Sequence, residues 1–142
     1  MKKIFVVALL LFVSIGIEAQ SKKPMKFQAE IANRGGDYIT FTNNKNKLIK
    51  KIQVNKDGVF KDTMNIATGR YAMSDGNEYT IVYLKNGFDL KLKMDAKKFD
   101  ESIVYTGKGA NENNFLAKNA LLEQQANLGN LIKAPEAEFI QG

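Results

Sequence analysis

The sequence predicts a mainly β protein, an antiparallel β-sandwich or partly open barrel of about seven strands, followed by a C-terminal amphipathic helix. Three observations support this fold class. Segments in which apolar and polar residues alternate follow one another from residue 25 to residue 105, at a spacing of about ten residues. Gly, Asn and Asp separate them. After Gly109 the composition changes to Ala, Leu, Glu, Gln and Asn in a helical pattern.

The first two strands come before and after a glycine-rich turn. Phe27, Ala29 and Ile31 alternate with polar residues, which indicates a strand with one buried face. Residues 34–37 supply the turn, and residues 38–42 resume with aromatic and β-branched side chains. We expect these two strands to pair as a hairpin. Because each connection along the chain is too short for a crossover, parallel pairing is not expected.

Four further strands follow, each next to a turn that contains Asn or Asp before Gly. Residues 48–54 and 59–64 are predicted to form a hairpin around the Asn-Lys-Asp-Gly turn at 55–58. Residues 69–73 and 78–84 continue the meander on either side of a Ser-Asp-Gly-Asn turn.

The next strand is the most clearly amphipathic of the chain. After the Lys-Asn-Gly turn at 85–87, the residues from Phe88 to Met94 alternate strictly between apolar and charged side chains. A short strand at 103–105 ends the predicted sheet region. Gly107-Lys108-Gly109 then lacks the spacing of a phosphate-binding loop, and we interpret it as a bend between sheet and helix whose backbone angles glycine permits.

The predicted helix begins after this bend. Asn111 is the expected N-cap, with Glu112 favourably placed in the first turn. One helical face consists of Phe115, Asn119, Leu122 and Ala126. Gly129 and Pro135 are expected to end or break the helix, which leaves residues 136–142 as a tail. We expect this segment to continue into further chain beyond residue 142.

The N-terminus has the pattern of a secretory signal peptide. Lys2 and Lys3 precede the apolar run 4–13, and Ala19 provides a small residue for cleavage. The run is too short to span a membrane, and the polar segment after it contains no stop-transfer sequence. We therefore expect export to the periplasm or cell envelope. No cysteine follows, so the protein is not expected to be a lipoprotein, and no transmembrane segment should remain after cleavage.

The predicted organisation is a signal peptide at 1–19, an antiparallel β domain at 20–106 and a helical connector at 107–142. Removal of residues 1–19 leaves 123 residues, enough for one domain, and lowers the net charge from +6 to +5. The lysines are interspersed with acidic residues and form no basic stripe, so nucleic acid is not an expected partner.

The 142 residues contain no His and no Cys, which excludes an imidazole base and a thiolate nucleophile. The Asp-Gly loops at 55–58 and 75–78 lack the ligand count of a calcium site and are interpreted as hairpin turns. Asp100 and Glu101 are sequence neighbours, which favours a solvated strand entry over a catalytic pair. No catalytic, cofactor-binding or metal-binding residue and no cofactor is predicted.

Phe and Tyr, at 10% of the chain, are expected to fill the core or pack on the sheets. The five tyrosines lie on different predicted strands, and a groove for a peptide or glycan remains an alternative. These residues are Tyr38, Tyr71, Tyr79, Tyr83 and Tyr105.

Several segments resemble the N-terminal region of TlpA-like, thioredoxin-family thiol-disulfide oxidoreductases of the Gram-negative envelope. The similar segments, largely turns and a sheet-to-helix junction, are 55–63, 68–71, 75–80, 84–87 and 105–116. The resemblance implies a β-sandwich-like accessory domain, a helical connector and a following thioredoxin domain with a Cys-x-x-Cys motif. No catalytic residue of the family can be carried over, because the chain has no cysteine.

Two hypotheses follow. In the first, the chain is a non-catalytic module that docks or spaces partners for a redox domain outside these residues, and its partner is protein. In the second, it is a complete secreted all-β protein that binds a peptide, a glycan or an envelope component. The second predicts that Phe115 and Leu122 are buried against the sheet and that Phe115→Asp lowers the melting temperature.

Overall fold

A computed structural model describes residues 23–139, and the side chains up to residue 128. It confirms the mainly β fold class, with eight strands in two four-stranded sheets and one long C-terminal helix over the described residues. The predicted signal peptide at 1–19 and residues 140–142 lie outside this range. None of the helices in residues 23–139 combines the length and the apolar character needed to cross a membrane.

The strands are close to their predicted positions. In chain order they are β1 (Met25–Ala32), β2 (Tyr38–Thr42), β3 (Leu48–Gln53), β4 (Val59–Met64), β5 (Gly69–Ser74), β6 (Tyr79–Leu84), β7 (Asp89–Asp95) and β8 (Val104–Lys108). A 3-10 helix (Ala96–Lys98) and the short helix α1 (Phe99–Ser102) precede β8, and α2 (Ala110–Phe139) follows it. The first sheet has the order β4-β1-β7-β8, and the second has the order β3-β2-β5-β6.

The core lies between the two sheets, and in β1 and β7 every second side chain points into it. The Phe27 ring of β1 meets the Phe41 ring of β2 edge to face, with centroids 5.2 Å apart. Phe60 and Leu90 from the first sheet and Val82 from the second are also fully buried. The alternating pattern of the sequence therefore identified the buried faces correctly.

The predicted hairpin between the first two strands is wrong. β1 pairs antiparallel with β4 and parallel with β7, whereas β2 belongs to the other sheet and pairs with β3 and β5. The turn after β1 therefore crosses from one sheet to the other, with Asn33 in a left-handed conformation at φ 54°. The parallel pair was not expected because only consecutive strands were compared, and five strands separate β1 from β7.

The β3–β4 hairpin is formed only at its turn. Val54 and Phe60 make a single antiparallel bridge beside the Asn-Lys-Asp-Gly turn. Beyond this bridge the strands diverge into separate sheets, where they become two open edges of the sandwich. Lys50 of β3 and Asp62 of β4 form an ion pair across these edges, with Nζ and Oδ2 2.8 Å apart.

The opposite side of the sandwich is closed by the start of α2. The side-chain amide of Asn113 accepts a hydrogen bond from the Tyr83 N–H and donates one to the Tyr83 carbonyl on β6. Asn114 makes the same pair of bonds with the backbone of Tyr105 on β8. Two adjacent asparagines thus attach the helix to the edge strands of both sheets.

The expected buried helical face is wrong. Phe115 is 63% exposed and Leu122 is 52% exposed, whereas Asn113 is fully buried. The helix is rotated so that Ala110, Asn113, Asn114 and Ala117 face the sheets. In this orientation Asn113 and Asn114 form hydrogen bonds with backbone groups at the sheet edges that would otherwise lack partners. The stabilisation from these hydrogen bonds outweighs the stabilisation that burial of Phe115 and Leu122 would give.

Two further helix predictions are corrected. The helix begins at Ala110, so Asn111 lies within its first turn rather than at the cap, although Glu112 is in the first turn as expected. Gly129 and Pro135 do not end the helix, which continues to Phe139. Relative to Ala, a Gly and a Pro within a helix destabilise it by about 1 and about 3 kcal/mol. The neighbouring residues with high helix propensity offset this loss.

Candidate functional site

The outer face of the second sheet carries a trough whose floor is made of small side chains. Thr40 of β2 lies opposite Ser74 of β5, and Thr42 lies opposite Ala72. Directly opposed residues of paired strands project to the same face of a sheet, so these four side chains form two adjacent rows. All four are partly exposed, which leaves an open channel between neighbouring, taller side chains.

Strand β6 forms one wall of this trough. Tyr79 lies opposite Ser74, and Ile81 lies opposite Ala72, so each wall residue extends one of the two rows. Tyr79 is 67% exposed and Ile81 is 39% exposed. The other wall is the loop after β2, which contributes Asn43, Asn44 and Asn46.

Arg70 lies at one end of the trough, opposite Tyr83 in the next row of the sheet. The trough encloses about 650 Å³. A second groove, of about 570 Å³, begins on the other side of Arg70 and is lined by Tyr83 together with Phe115 and Leu116 of α2. The two grooves share Arg70 and form one elongated surface, which we call the outer trough.

The structure brings only some of the five tyrosines together. Tyr79 and Tyr83 project from β6 onto the outer face, while Tyr71 and Tyr105 are buried. The Tyr38 ring lies under the Lys51 ammonium, 3.9 Å from its centroid. Most of the described aromatic residues therefore fill the core or pack on the sheets, as expected, and the outward-facing Tyr79 and Tyr83 also line the grooves.

The Asp-Gly loops are turns, as predicted. Asn55 accepts hydrogen bonds from the backbone N–H groups of Asp57 and Val59, each at 3.0 Å. Asp75 accepts from Asn77 and Glu78, each at 2.9 Å. Each side-chain Oδ1 atom thus stabilises its own loop. No group of three or more acidic residues with metal-binding geometry occurs in residues 23–139.

The bend predicted at 107–109 is only partly correct, because Gly107 and Lys108 belong to β8, opposite Leu90 and Asp89, and only Gly109 lies in the turn before α2. Gly107 and Gly109 have φ angles of 84° and 100°, in the region that favours glycine. A Cβ atom on Gly109 would overlap the ring of Phe88, so this glycine also permits close packing. Asp100 and Glu101 lie in helix α1 rather than at a strand entry.

Sequence reasoning missed Arg70, the small trough residues and the two asparagines of α2. The trough depends on the lateral register of three strands, which the period of a single strand does not specify. A signal for the asparagines was present, because Asn113 and Asn114 have poor helix propensity yet lie in the first turns of a segment rich in helix formers.

No protein-family model, curated protein or solved structure matched the chain in the comparisons.

Proposed function

We propose that this chain is a non-catalytic N-terminal module of an exported, thioredoxin-like (TlpA-type) protein, in which it docks or spaces partners for a redox domain. The resemblance of its turn and junction segments to that family supports the proposal. Since the 142 residues contain no cysteine, a Cys-x-x-Cys active site must lie outside them. The module contributes position and binding rather than chemistry.

The observation that carries this proposal is the path of α2. Asn113 and Asn114 fix the start of the helix to both sheets. From Leu122 to Leu128 every side chain is exposed, including two leucines. A helix of 30 residues is about 45 Å long at 1.5 Å per residue, so its far end extends well beyond the anchored turns.

This geometry suits a spacer. Helices in proteins are stabilised mainly by packing of an amphipathic face, whereas the side chains of residues 122–128 are exposed. An arm that is anchored at one end and open at the other can hold a second body at a defined distance from the sandwich. The outer trough, which reaches Phe115 of the same helix, is available to the partner.

Intact-mass measurement of the native polypeptide from the envelope, with sequencing of its terminal peptides, tests the proposal. We expect an N-terminal peptide that begins at Gln20, which would follow signal cleavage after Ala19, and peptides that continue past Gly142 into a Cys-x-x-Cys segment. A polypeptide of 123 residues that ends at Gly142 would contradict the module proposal. An uncleaved N-terminus would contradict export.

A second candidate function is supported by the outer trough itself. In this alternative the chain is a secreted all-β protein that binds a peptide, glycan or envelope component, with no redox domain attached. Its prediction that Phe115 and Leu122 are buried is wrong, so the trough is its remaining support. The exposed Tyr79 and Ile81 beside a polar floor favour ligand binding on this face. The mass experiment separates the two functions, because this alternative requires the 123-residue polypeptide.

A further inference from the structure

The first part of the outer trough has an unbalanced charge. Arg70 is the one charged residue among those that line this part, and the others carry hydroxyl, amide, aromatic or aliphatic groups. Within the described residues, no carboxylate lies within 4.0 Å of the Arg70 guanidinium, whereas Arg34 pairs with Asp37 at 3.6 Å. Glu112 lines the second groove and does not reach Arg70 at ion-pair distance. A guanidinium in this setting favours a carboxylate ligand.

The distance between successive rows of the trough matches the distance between alternate side chains of an extended peptide. Tyr83, Ile81 and Tyr79 project from alternate positions of one strand, with Arg70, Ala72 and Ser74 opposite them. Alternate residues of a strand are about 6.6 to 6.8 Å apart. An extended peptide that lies along the trough presents its own alternate side chains with this same spacing, one to each row.

We propose that the outer trough binds an extended acidic peptide segment, whose carboxylate pairs with Arg70 and whose next two inward side chains pack beside Ile81 and Tyr79. This inference rests on the proposed docking function and names the chemistry of the docked partner. The Asn44 amide and the Thr42 hydroxyl line the trough, where they can bond to the peptide backbone, whereas the Asn43 Oδ1 atom accepts from the N–H groups of Lys45 and Lys47 in its own loop.

The walls favour a peptide over an acidic glycan. Sugar rings stack on exposed aromatic faces, and the part of the trough that would hold the two inward side chains offers one exposed ring, Tyr79, beside the aliphatic Ile81. Tyr83 and Phe115 line the second groove, beyond Arg70. Apolar peptide side chains match both walls. The small side chains of Ala72 and Ser74 leave room for a backbone to approach the sheet.

An array of heptapeptides tests the proposal with the mature chain. Each peptide has the form Ser-X-Ser-Z-Ser-Z-Ser, in which X is Glu, Gln or Lys and Z covers the aliphatic and aromatic residues. We expect binding to the Glu set to exceed binding to the matched Gln set by about fivefold, the value of an ion pair of about 1 kcal/mol. The Lys set should bind least, and the preference should shrink from about 50 mM to 500 mM salt.

Two variants assign the preference to one side chain. Arg70→Gln should abolish the difference between the Glu and Gln peptides, while Arg34→Gln should preserve it, because Arg34 lies outside the trough. Both residues are on the surface, so both variants should keep the melting temperature of the parent chain. Equal binding of the three sets, no binding up to about 1 mM, or a Glu preference that survives Arg70→Gln would overturn the proposal.

An oligogalacturonate series tests the other source of carboxylates. Arg70-dependent binding of these glycans without an acidic-peptide preference would also overturn the peptide proposal. The result is independent of the mass experiment. If the chain continues into Cys-x-x-Cys but binds no acidic peptide, the module function stands and the peptide site is overturned. If the chain ends at Gly142 and binds the acidic peptides, the peptide site stands and the module function is overturned.

Discussion

The side-chain amide of Asn113 bonds to the backbone of Tyr83 as a neighbouring strand would. Its Oδ1 accepts from the Tyr83 N–H at 2.8 Å, and its Nδ2 donates to the Tyr83 carbonyl at 2.9 Å. In an antiparallel ladder, one residue of the next strand makes both of these bonds. Nδ2 also donates to the Gly109 carbonyl at 2.9 Å, so one buried side chain ties β6 to the first turn of α2.

We expect Asn113→Ala to lower the free energy of unfolding by about 3 kcal/mol, because it leaves partly buried backbone groups of Tyr83 without their side-chain partner. Asn111→Ala is the matched control, since Asn111 is exposed in the same helical turn and should change stability by less than about 0.5 kcal/mol. Urea denaturation of the three proteins measures the difference. Equal stability of both variants would show that the strand-like bonds contribute nothing measurable.

Gly109→Ala should destabilise the protein by about 3 kcal/mol. The residue has a φ of 100°, and a Cβ there would enter the space of the Phe88 ring, so backbone strain and overpacking act together. Gly69→Ala is the control, because no atom beyond its chain neighbours lies within 4 Å of its Cβ position. Thermal denaturation should leave the control near the parent melting temperature, and a tolerated Gly109→Ala would contradict the close packing of the bend.

Replacement of the two buried tyrosines by Phe should change the free energy of unfolding in opposite directions. The Tyr71 hydroxyl donates to the Ala67 carbonyl at 2.6 Å, whereas the buried Tyr105 hydroxyl has no hydrogen-bond partner in the described structure. We expect Tyr71→Phe to lower the free energy of unfolding by about 1 kcal/mol, and Tyr105→Phe to raise it by about 1 kcal/mol. Urea denaturation at pH 7 is the measurement, and a loss of stability in both variants would contradict an unpaired Tyr105 hydroxyl.

The burial of Tyr105 also predicts that the folded protein loses stability at alkaline pH. Burial raises the pKa of its phenol well above the ordinary value of 10.0, so folding favours the neutral form. This stabilisation is complete below the unfolded pKa of about 10 and is lost as the pH rises above it, because the unfolded state then releases a proton that the folded state keeps. Between about pH 9 and pH 11, Tyr105→Phe should therefore lose less stability than the parent chain.

Local patterns predicted the strands well because the turn residues and the two-residue alternation are local properties. The predicted strand at 59–64 coincides with β4, and the predicted strand at 38–42 coincides with β2. The partner of each strand is a non-local property, and alternation specifies a buried face without naming the neighbour. For this reason the central position of β1, between β4 and β7, did not follow from its sequence.

The helix orientation and the trough depend on such non-local relations. Phe115 and Leu122 fit an apolar helical face, but the edges of β6 and β8 required hydrogen-bond partners, and Asn113 and Asn114 supply them. A single hydropathy pattern contains no information on unpaired groups elsewhere in the fold. Arg70 was missed for the same reason, because its significance arises from the small residues beside it on β5 and on the neighbouring strand β2.

Phe115→Asp tests the orientation of α2 directly. Because Phe115 is 63% exposed, the substitution should change the free energy of unfolding by less than about 0.5 kcal/mol. Ala117→Asp is the contrasting variant, since Ala117 packs against the core and a charge there should cost more than about 2 kcal/mol. Thermal denaturation compares the two. A large loss with Phe115→Asp and a small one with Ala117→Asp would place the apolar face against the sheets, and it would remove the open arm on which the spacer function depends.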